Sequence, residues 1–328
     1  MTRCDPSRFD PLRRAALAAL ALAAVMPAAA QTGDKPLRFV LPNAVGSGVD
    51  TITRAAQAAL AKALGHPVVV DNQPGAGGIV GVQAITRAPA DGFTLGVVSN
   101  NVVIFPSVYK TLPFDLANDI APIAIVGYTP VVLVVNPKVP AKDSKELVAL
   151  LKSKPGQVNY ASGGNGTILH LASEMFLDEA GARASHVPYK GVGPMLTDLI
   201  GGQVEFATAA LPSVQQHLKS GALRAIGMAT AQRVEAAPEI PTFVEQGLPN
   251  YVVEAWFAVV APKGLPAAEA RRINAAVAAA FADPTVKEAM AKQGNVINVS
   301  TVEQAQQHFR SELAKYARLV KKAGIEQQ

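Results

Sequence analysis

Two segments of this chain share one layout: an apolar strand, a glycine-rich loop, then a helix. In the first, Leu37–Leu41 runs into Pro42-Asn43-Ala44-Val45-Gly46-Ser47-Gly48-Val49-Asp50 and a helix to about Leu64. In the second, Val158–Ala161 runs into Ser162-Gly163-Gly164-Asn165-Gly166-Thr167 and a helix through His170 and Glu174. Glycines let each loop turn tightly and bring backbone N–H groups close to a ligand. A helix N-terminus adds unpaired N–H donors and a partial positive charge, so each unit has the makings of an anion cradle. About 115 residues separate the two, which predicts two lobes closing on one anion. Turn geometry alone accounts for glycines in a single such loop. Two similarly built loops with Asn, Ser and Thr among the glycines favour binding. The stretch from Gly75 to Gly81 has no accompanying polar side chain and reads as structural.

The rest of the chain alternates strand-like and helix-like segments, the pattern of an α/β protein with largely parallel sheets. Asp50 reads as an N-cap, with Ile52, Ala56, Leu60 and Ala63 at helical spacing up to Gly65. Further strands are expected at 68–70, 94–98, 131–135, 184–187, 204–209 and 223–227. Helices are expected at 142–154, 195–200, 213–220 and 267–281. Asp283-Pro284 opens another helix. Val302, Ala305, Phe309, Leu313, Tyr316 and Val320 form one apolar stripe along a final helix. No low-complexity linker marks a domain boundary, which fits two strand-like crossings between lobes. Val131–Val135 and Trp256–Val260 are the best placed to be paired hinge strands.

The N-terminus reads as an export leader. Arg13 and Arg14 precede an apolar run of 11 residues, Ala15–Val25, and Ala28-Ala29-Ala30 offers a small-residue cleavage site. That run is shorter than the roughly 20 residues a bilayer span needs. A protein cut near Ala30 would be periplasmic. The one cysteine, Cys4, lies inside the leader, which leaves the remainder without thiol chemistry. The leader's four Arg and two Asp lower the net charge from +5 to +3. The basic residues are scattered, with no nucleic-acid footprint.

Catalytic and nucleotide patterns fail on particular residues. Gly46 and Gly48 lack the third glycine of a dinucleotide loop, because Thr51 holds its place, and Gly163–Gly166 is not followed by Lys-Ser/Thr. Tyr160 and Val45 stand where a Gly-x-Ser-x-Gly elbow around Ser162 or Ser47 needs glycine. The five histidines are dispersed, and His170 with Glu174 supplies only two potential ligands, too few for a closed metal site. No catalytic residue, metal or cofactor is expected. A secreted hydrolase remains the enzymatic alternative, with Ser162 and His170 the pair to check.

At family level, the chain resembles the extracytoplasmic solute-binding receptors of tripartite tricarboxylate transporters, the Bug family. The resemblance rests on Pro42–Asp50, the segment from Asp71 to Gly78, Ala90-Asp91-Gly92-Phe93-Thr94-Leu95 and Ala161–Glu174. Val187-Pro188-Tyr189-Lys190-Gly191, Asp198-Leu199-Ile200-Gly201-Gly202 and Lys321-Lys322-Ala323-Gly324-Ile325 extend it over essentially all of the chain after the leader. It implies a two-lobed periplasmic-binding-protein fold of type II with two hinge-crossing segments. Residues 1–30 would be the signal peptide, 31–130 with 254–328 lobe I, and 131–253 lobe II. It also implies a small organic carboxylate gripped between the lobes by both glycine loops, partly through ordered waters, and permease subunits as membrane partners of a monomer. The expected ligand-binding residues are Asn43, Val45, Gly46, Ser47, Gly48 and Asp50 from the first loop. Ser162, Gly164, Asn165, Gly166, Thr167 and His170 come from the second. Ser99 and Asn100 would hydrogen-bond a distal group, while Tyr189 and Trp256 would stack on the ligand. Ser47 stands where a second consecutive glycine is usual. Phe206–Ala210 lacks the Asp or Asn often found near such pockets, which points away from an amino-acid ligand. A receptor that hands its ligand to a signalling partner would use the same binding chemistry.

Overall fold

The computed structural model describes residues 35–325 and residue 327. The expected leader, residues 1–30, lies outside the described residues. The chain opens with β1 (Leu37–Leu41), α1 (Gly48–Leu64), β2 (Val68–Asn72), α2 (Ile79–Thr86) and β3 (Thr94–Ser99). Then come α3 (Asn101–Val108), α4 (Leu116–Asp119) and the long β4 (Ile120–Val135). The middle of the chain forms α5 (Ser144–Ser153), β5 (Asn159–Ser162), α6 (Ile168–Ala180), β6 (Ser185–Pro188) and α7 (Val192–Gly201). It continues through β7 (Phe206–Ala210), α8 (Leu211–Lys219) and β8 (Arg224–Met228). The last part holds β9 (Glu254–Pro262), α9 (Ala267–Ala282), α10 (Pro284–Lys292), β10 (Val296–Ile297) and α11 (Val302–Lys322).

The strands join in the order β2-β1-β3-β9-β4-β7-β5-β6, with β8 and β10 also paired to β4. The two ends are parallel, β1 with β2 and β3, and β5 with β6 and β7. The centre is antiparallel: β9 pairs with β3 and β4, and β4 with β7, β8 and β10. The sheet is therefore mixed where the sequence pattern predicts a largely parallel one, because long-range antiparallel pairing leaves no local spacing to read.

β4 is the element that crosses the molecule. Residues up to Pro130 pair with β9, and from Val131 onward the same strand pairs with β7 and β8. Val131–Val135 and Trp256–Val260, expected to pair as hinge strands, flank this crossing instead of pairing with each other. Register shifts beside Pro122 and near Gly127 accommodate a strand that contains prolines. A Cβ at Gly127 would sit 2.1 Å from the Val296 carbonyl oxygen, so glycine is what lets β10 close on β4.

Side chains of alternate strand residues enter different cores. Val131, Leu133 and Val135 face a cluster that includes α3, α6, Trp256 and the Phe309–Tyr316–Val320 stripe of α11. Val132 and Val134 face the opposite cluster with Met195, Leu199 and Val214. At the other end Leu37, Phe39 and Leu41 pack with α1, α9 and α10. The helix α3 is apolar on every side, with Val102, Val103, Ile104, Phe105 and Val108 all buried. It shows no amphipathic period and carries Pro106, so the sequence pattern does not reveal it.

Candidate functional site

The first loop leaves β1 at Leu41 and enters α1 three residues earlier than Asp50 would place it. Ser47 is the N-cap, in extended backbone, and its Oγ accepts the Asp50 N–H at 3.3 Å. Asp50 is thus the third helical residue and not the cap, since the Ser47 hydroxyl already holds that position. Its carboxylate is 2% exposed and accepts from Gly46 N at 2.9 Å, Arg54 Nε at 2.9 Å and Asn72 Nδ2 at 3.0 Å. Burial pushes the Asp50 carboxyl up, but the bonds from Gly46, Asn72 and Arg54 outweigh it and hold the group below its usual value. An internal anion therefore occupies part of the first cradle. The first-turn N–H groups of Gly48 and Val49 are the donors that neither Ser47 nor Asp50 takes. Val45 at the loop tip is 72% exposed, and Asn43 contributes its carbonyl to Asn72. A Cβ at Gly81 would lie 2.6 Å from Pro42 Cα, so glycine there lets α2 pack against the base of the loop.

The second loop repeats the capping device. Thr167 is the N-cap of α6; its Oγ1 accepts from His170 N at 3.3 Å and donates to Gly164 O at 2.9 Å. Gly166 has φ +66, and a Cβ there would meet Val108 Cγ1 at 2.7 Å, so glycine is required twice over. Gly166 N donates to His170 Nδ1 at 3.1 Å, and Ile168 N donates to Asn101 Oδ1 at 2.9 Å. Asn165 stands exposed at the tip.

Behind this loop lies a titratable cluster that the sequence reading does not assemble. The rings of His170 and His186 stack at 3.8 Å with 9° between planes, and Tyr160 stacks on His186 at 4.9 Å. Ser162 Oγ bonds His186 Nε2 at 2.7 Å, and the Tyr160 hydroxyl donates to Glu174 Oε1. Burial, with His186 alongside, pushes the His170 pKa down to about 3, and burial pushes His186 to about 4. Both rings are neutral near pH 7, and for His170 the bond from Gly166 N–H to Nδ1 requires it. Burial raises the Glu174 carboxyl. The serine and histidine partners lie 24 residues apart on β5 and β6, a separation with no local signature.

Several expected ligand contacts are engaged elsewhere. Ser162 is fully buried, and its hydroxyl meets Gly164 and His186. Its partner is His186 and not His170, and no substrate carbonyl reaches an oxygen so enclosed. Asn100 is fully buried, and its Nδ2 donates to Glu254 O at 3.0 Å and Tyr316 OH at 2.9 Å. Its neighbour Ser99 ends β3, paired opposite Phe257. Tyr189 lies beside the second loop, with its N–H on Ser162 O. Its hydroxyl donates to Asp198 at 2.7 Å, and burial together with that carboxylate lifts its pKa to about 12. Trp256 is 2% exposed, with Nε1 donating to Glu312 at 2.9 Å. That bond draws the indole onto α11.

Asn165 and His170 open onto a cavity of about 420 Å³ whose other walls are Glu174 and the C-terminal segment around Gly324. No residue of the first loop lines it. What the two loops share is construction. Each ends a strand, caps a helix with a hydroxyl that takes the third N–H, and leaves first-turn donors at its mouth.

Comparison with known proteins places this construction. The profile of the family described as tripartite tricarboxylate transporter family receptor matches residues 52–325. Protein BugT of Bordetella pertussis (strain Tohama I) is 35% identical over 292 residues, which cover 88% of this chain and 90% of that protein. The solved structure of periplasmic binding protein BugD has a TM-score of 0.81 at 30% identity, covering 89% of this chain and 99% of that one. R. palustris Rpa4515 with adipate has a TM-score of 0.83 at 28% identity, covering 89% and 98%.

Proposed function

This chain belongs to the tripartite tricarboxylate transporter receptor family, a family of solute-binding receptors, and from that premise we propose that it captures a small organic carboxylate between two lobes. The lobes in this reading are residues 31–130 with 254–328, and 131–253. The switch of β4 from β9 to β7 and β8 after Pro130 supports that division. The receptor is exported, cut near Ala30, works in the periplasm as a monomer and hands its ligand to permease subunits in the membrane.

The observation that carries the reading is the pair of hydroxyl-capped helix N-termini at the ends of β1 and β5. With Gly46 donating to Asp50 and Ile168 donating to Asn101, the donors left for a ligand are chiefly Gly48, Val49 and Leu169, with the Asn165 side chain. A helix N-terminus contributes about 0.3–1 kcal/mol when exposed and up to about 2 when partly buried. Charge-assisted hydrogen bonds contribute about 1.5–3 kcal/mol each. A micromolar receptor needs about 8 kcal/mol net, which two cradles supply after ordering costs and one does not. Affinity therefore depends on lobe closure. The solved relative that holds adipate supports a carboxylate as the ligand class.

A thermal-shift screen of mono-, di- and tricarboxylates and aromatic acids, with neutral sugars as controls, tests this. At a ligand concentration of 100 Kd, binding adds about 2.7 kcal/mol to stability. The reading requires at least one carboxylate to raise the melting midpoint. A shift with a sugar and none with any acid would overturn it.

A further inference from the structure

A second cavity, of about 380 Å³, opens beside the crossing, where β4 and β9 run next to α11. Tyr128, Glu254, Trp256, Gln304 and His308 are among its walls. It shares no lining residue with the cavity at the second loop, and its chemistry differs from that of a carboxylate cradle.

Glu254 is exposed and, among the described residues, pairs with no Lys or Arg. Among the described residues, buried His308 Nε2 has no hydrogen-bond partner. Burial holds that imidazole below its usual pKa, with the charges of Glu312, Lys315 and Glu254 acting on it as well. Glu312 is already engaged by Trp256 Nε1 and Lys315 Nζ. Trp256 meets His308 edge-on at 5.3 Å and packs on Phe309, with its N–H taken by Glu312. An anion entering here would meet the Glu254 carboxylate unopposed.

We propose that this cavity is a second ligand site, for a small organic ammonium ion. Glu254 supplies the opposite charge, and the half-buried Tyr128 ring supplies a face that attracts a cation. The site lies at the chain crossing: Tyr128 and Trp256 are cross-strand partners, and the Glu254 carbonyl is held by Asn100. An occupant would sit on the strands that link the two parts of the sheet.

Trp256 is the only tryptophan in the chain, so its fluorescence reports on this cavity. The purified protein is titrated with benzylammonium chloride and, separately, with benzyl alcohol, at constant ionic strength, following both fluorescence and heat. Benzylammonium produces a saturable change, and benzyl alcohol binds at least about tenfold more weakly, equivalent to about 1.4 kcal/mol. Glu254→Gln, an exposed and nearly isosteric change, weakens benzylammonium by a similar factor. It leaves the melting midpoint and any carboxylate binding unchanged. Equal binding of the amine and the alcohol, unchanged affinity in Glu254→Gln, or no saturable signal and no heat with benzylammonium would each overturn the proposal. None of these outcomes bears on the carboxylate site.

Discussion

Asn101 Oδ1 accepts the N–H of Ile168 at 2.9 Å, across 67 residues of chain. The bond ties the first residue of α3 to the first residue of α6. A side-chain carbonyl thereby holds a donor of the second cradle, in the place a ligand carboxylate oxygen would take. Replacing Asn101 by Ala removes this internal competitor. Stability should fall by about 1 kcal/mol for the lost hydrogen bond, read by urea denaturation. Carboxylate affinity, read by isothermal titration, should rise by up to about fivefold. A loss of affinity would mean that Asn101 orders the cradle and does not compete with the ligand.

Gly166 is held at φ +66 against Val108. Gly166→Ala should cost about 1–3 kcal/mol from backbone strain alone, with the Val108 contact added. Val108→Ala in the same chain should recover the contact part and leave the strain. A double-mutant cycle in urea separates the two. Full additivity of the two changes would show that residues 108 and 166 do not touch.

Asn100 is expected to matter for folding. Its amide joins the part-buried Glu254 O and the buried Tyr316 OH, so Asn100→Ala leaves both groups short of a partner. A loss of about 2–3 kcal/mol follows, with carboxylate affinity per folded molecule unchanged. If titration instead showed affinity falling while the melting midpoint held, Asn100 would belong in the pocket.

The stacked pair His170 and His186 makes stability depend on pH. Their folded pKa values, about 3 and about 4, lie below the usual histidine value of 6.5. Between those limits the unfolded chain binds protons that the folded chain refuses. Stability is therefore complete above about pH 6.5 and declines as pH falls towards 4 and then 3. The raised Glu174 carboxyl acts in the opposite sense, favouring the folded state as pH falls through its own range. Melting midpoints measured from pH 7.5 to 4 should drop, and His186→Phe should flatten the curve by up to one proton. An identical slope in that variant would show that His186 titrates normally in the folded chain.

Local patterns in the sequence carried much of this architecture. Leu37–Leu41 is a strand with the ends expected, and Asp283-Pro284 does open α10, with Asp283 accepting from Thr285 N. The α11 stripe packs as its spacing predicts, with Phe309, Tyr316 and Val320 in one core. What escaped notice depends on partners far away in sequence. Helix α3 is apolar on every side, buries five of its eight residues and shows no period. The length of β4 follows from pairing with β9 more than a hundred residues on. Ser47 caps α1 although Asp50 is an equally good capping residue by type, because Asp50 is needed by Gly46, Arg54 and Asn72. Within the candidate site, the loops and their glycines were legible. The engagement of Ser162, Asn100 and Trp256 was not, since His186, Tyr316 and Glu312 lie 24, 216 and 56 residues away.

The clamp itself is tested most directly by a crystal structure of the protein with a carboxylate that raises its melting midpoint. The expected density places one carboxylate group against residues 45–49 and 163–169 together, directly or through ordered water, with Gly48, Val49 and Leu169 N–H groups pointing at it. A carboxylate held by one loop alone, or bound in a place that touches neither, would contradict the account.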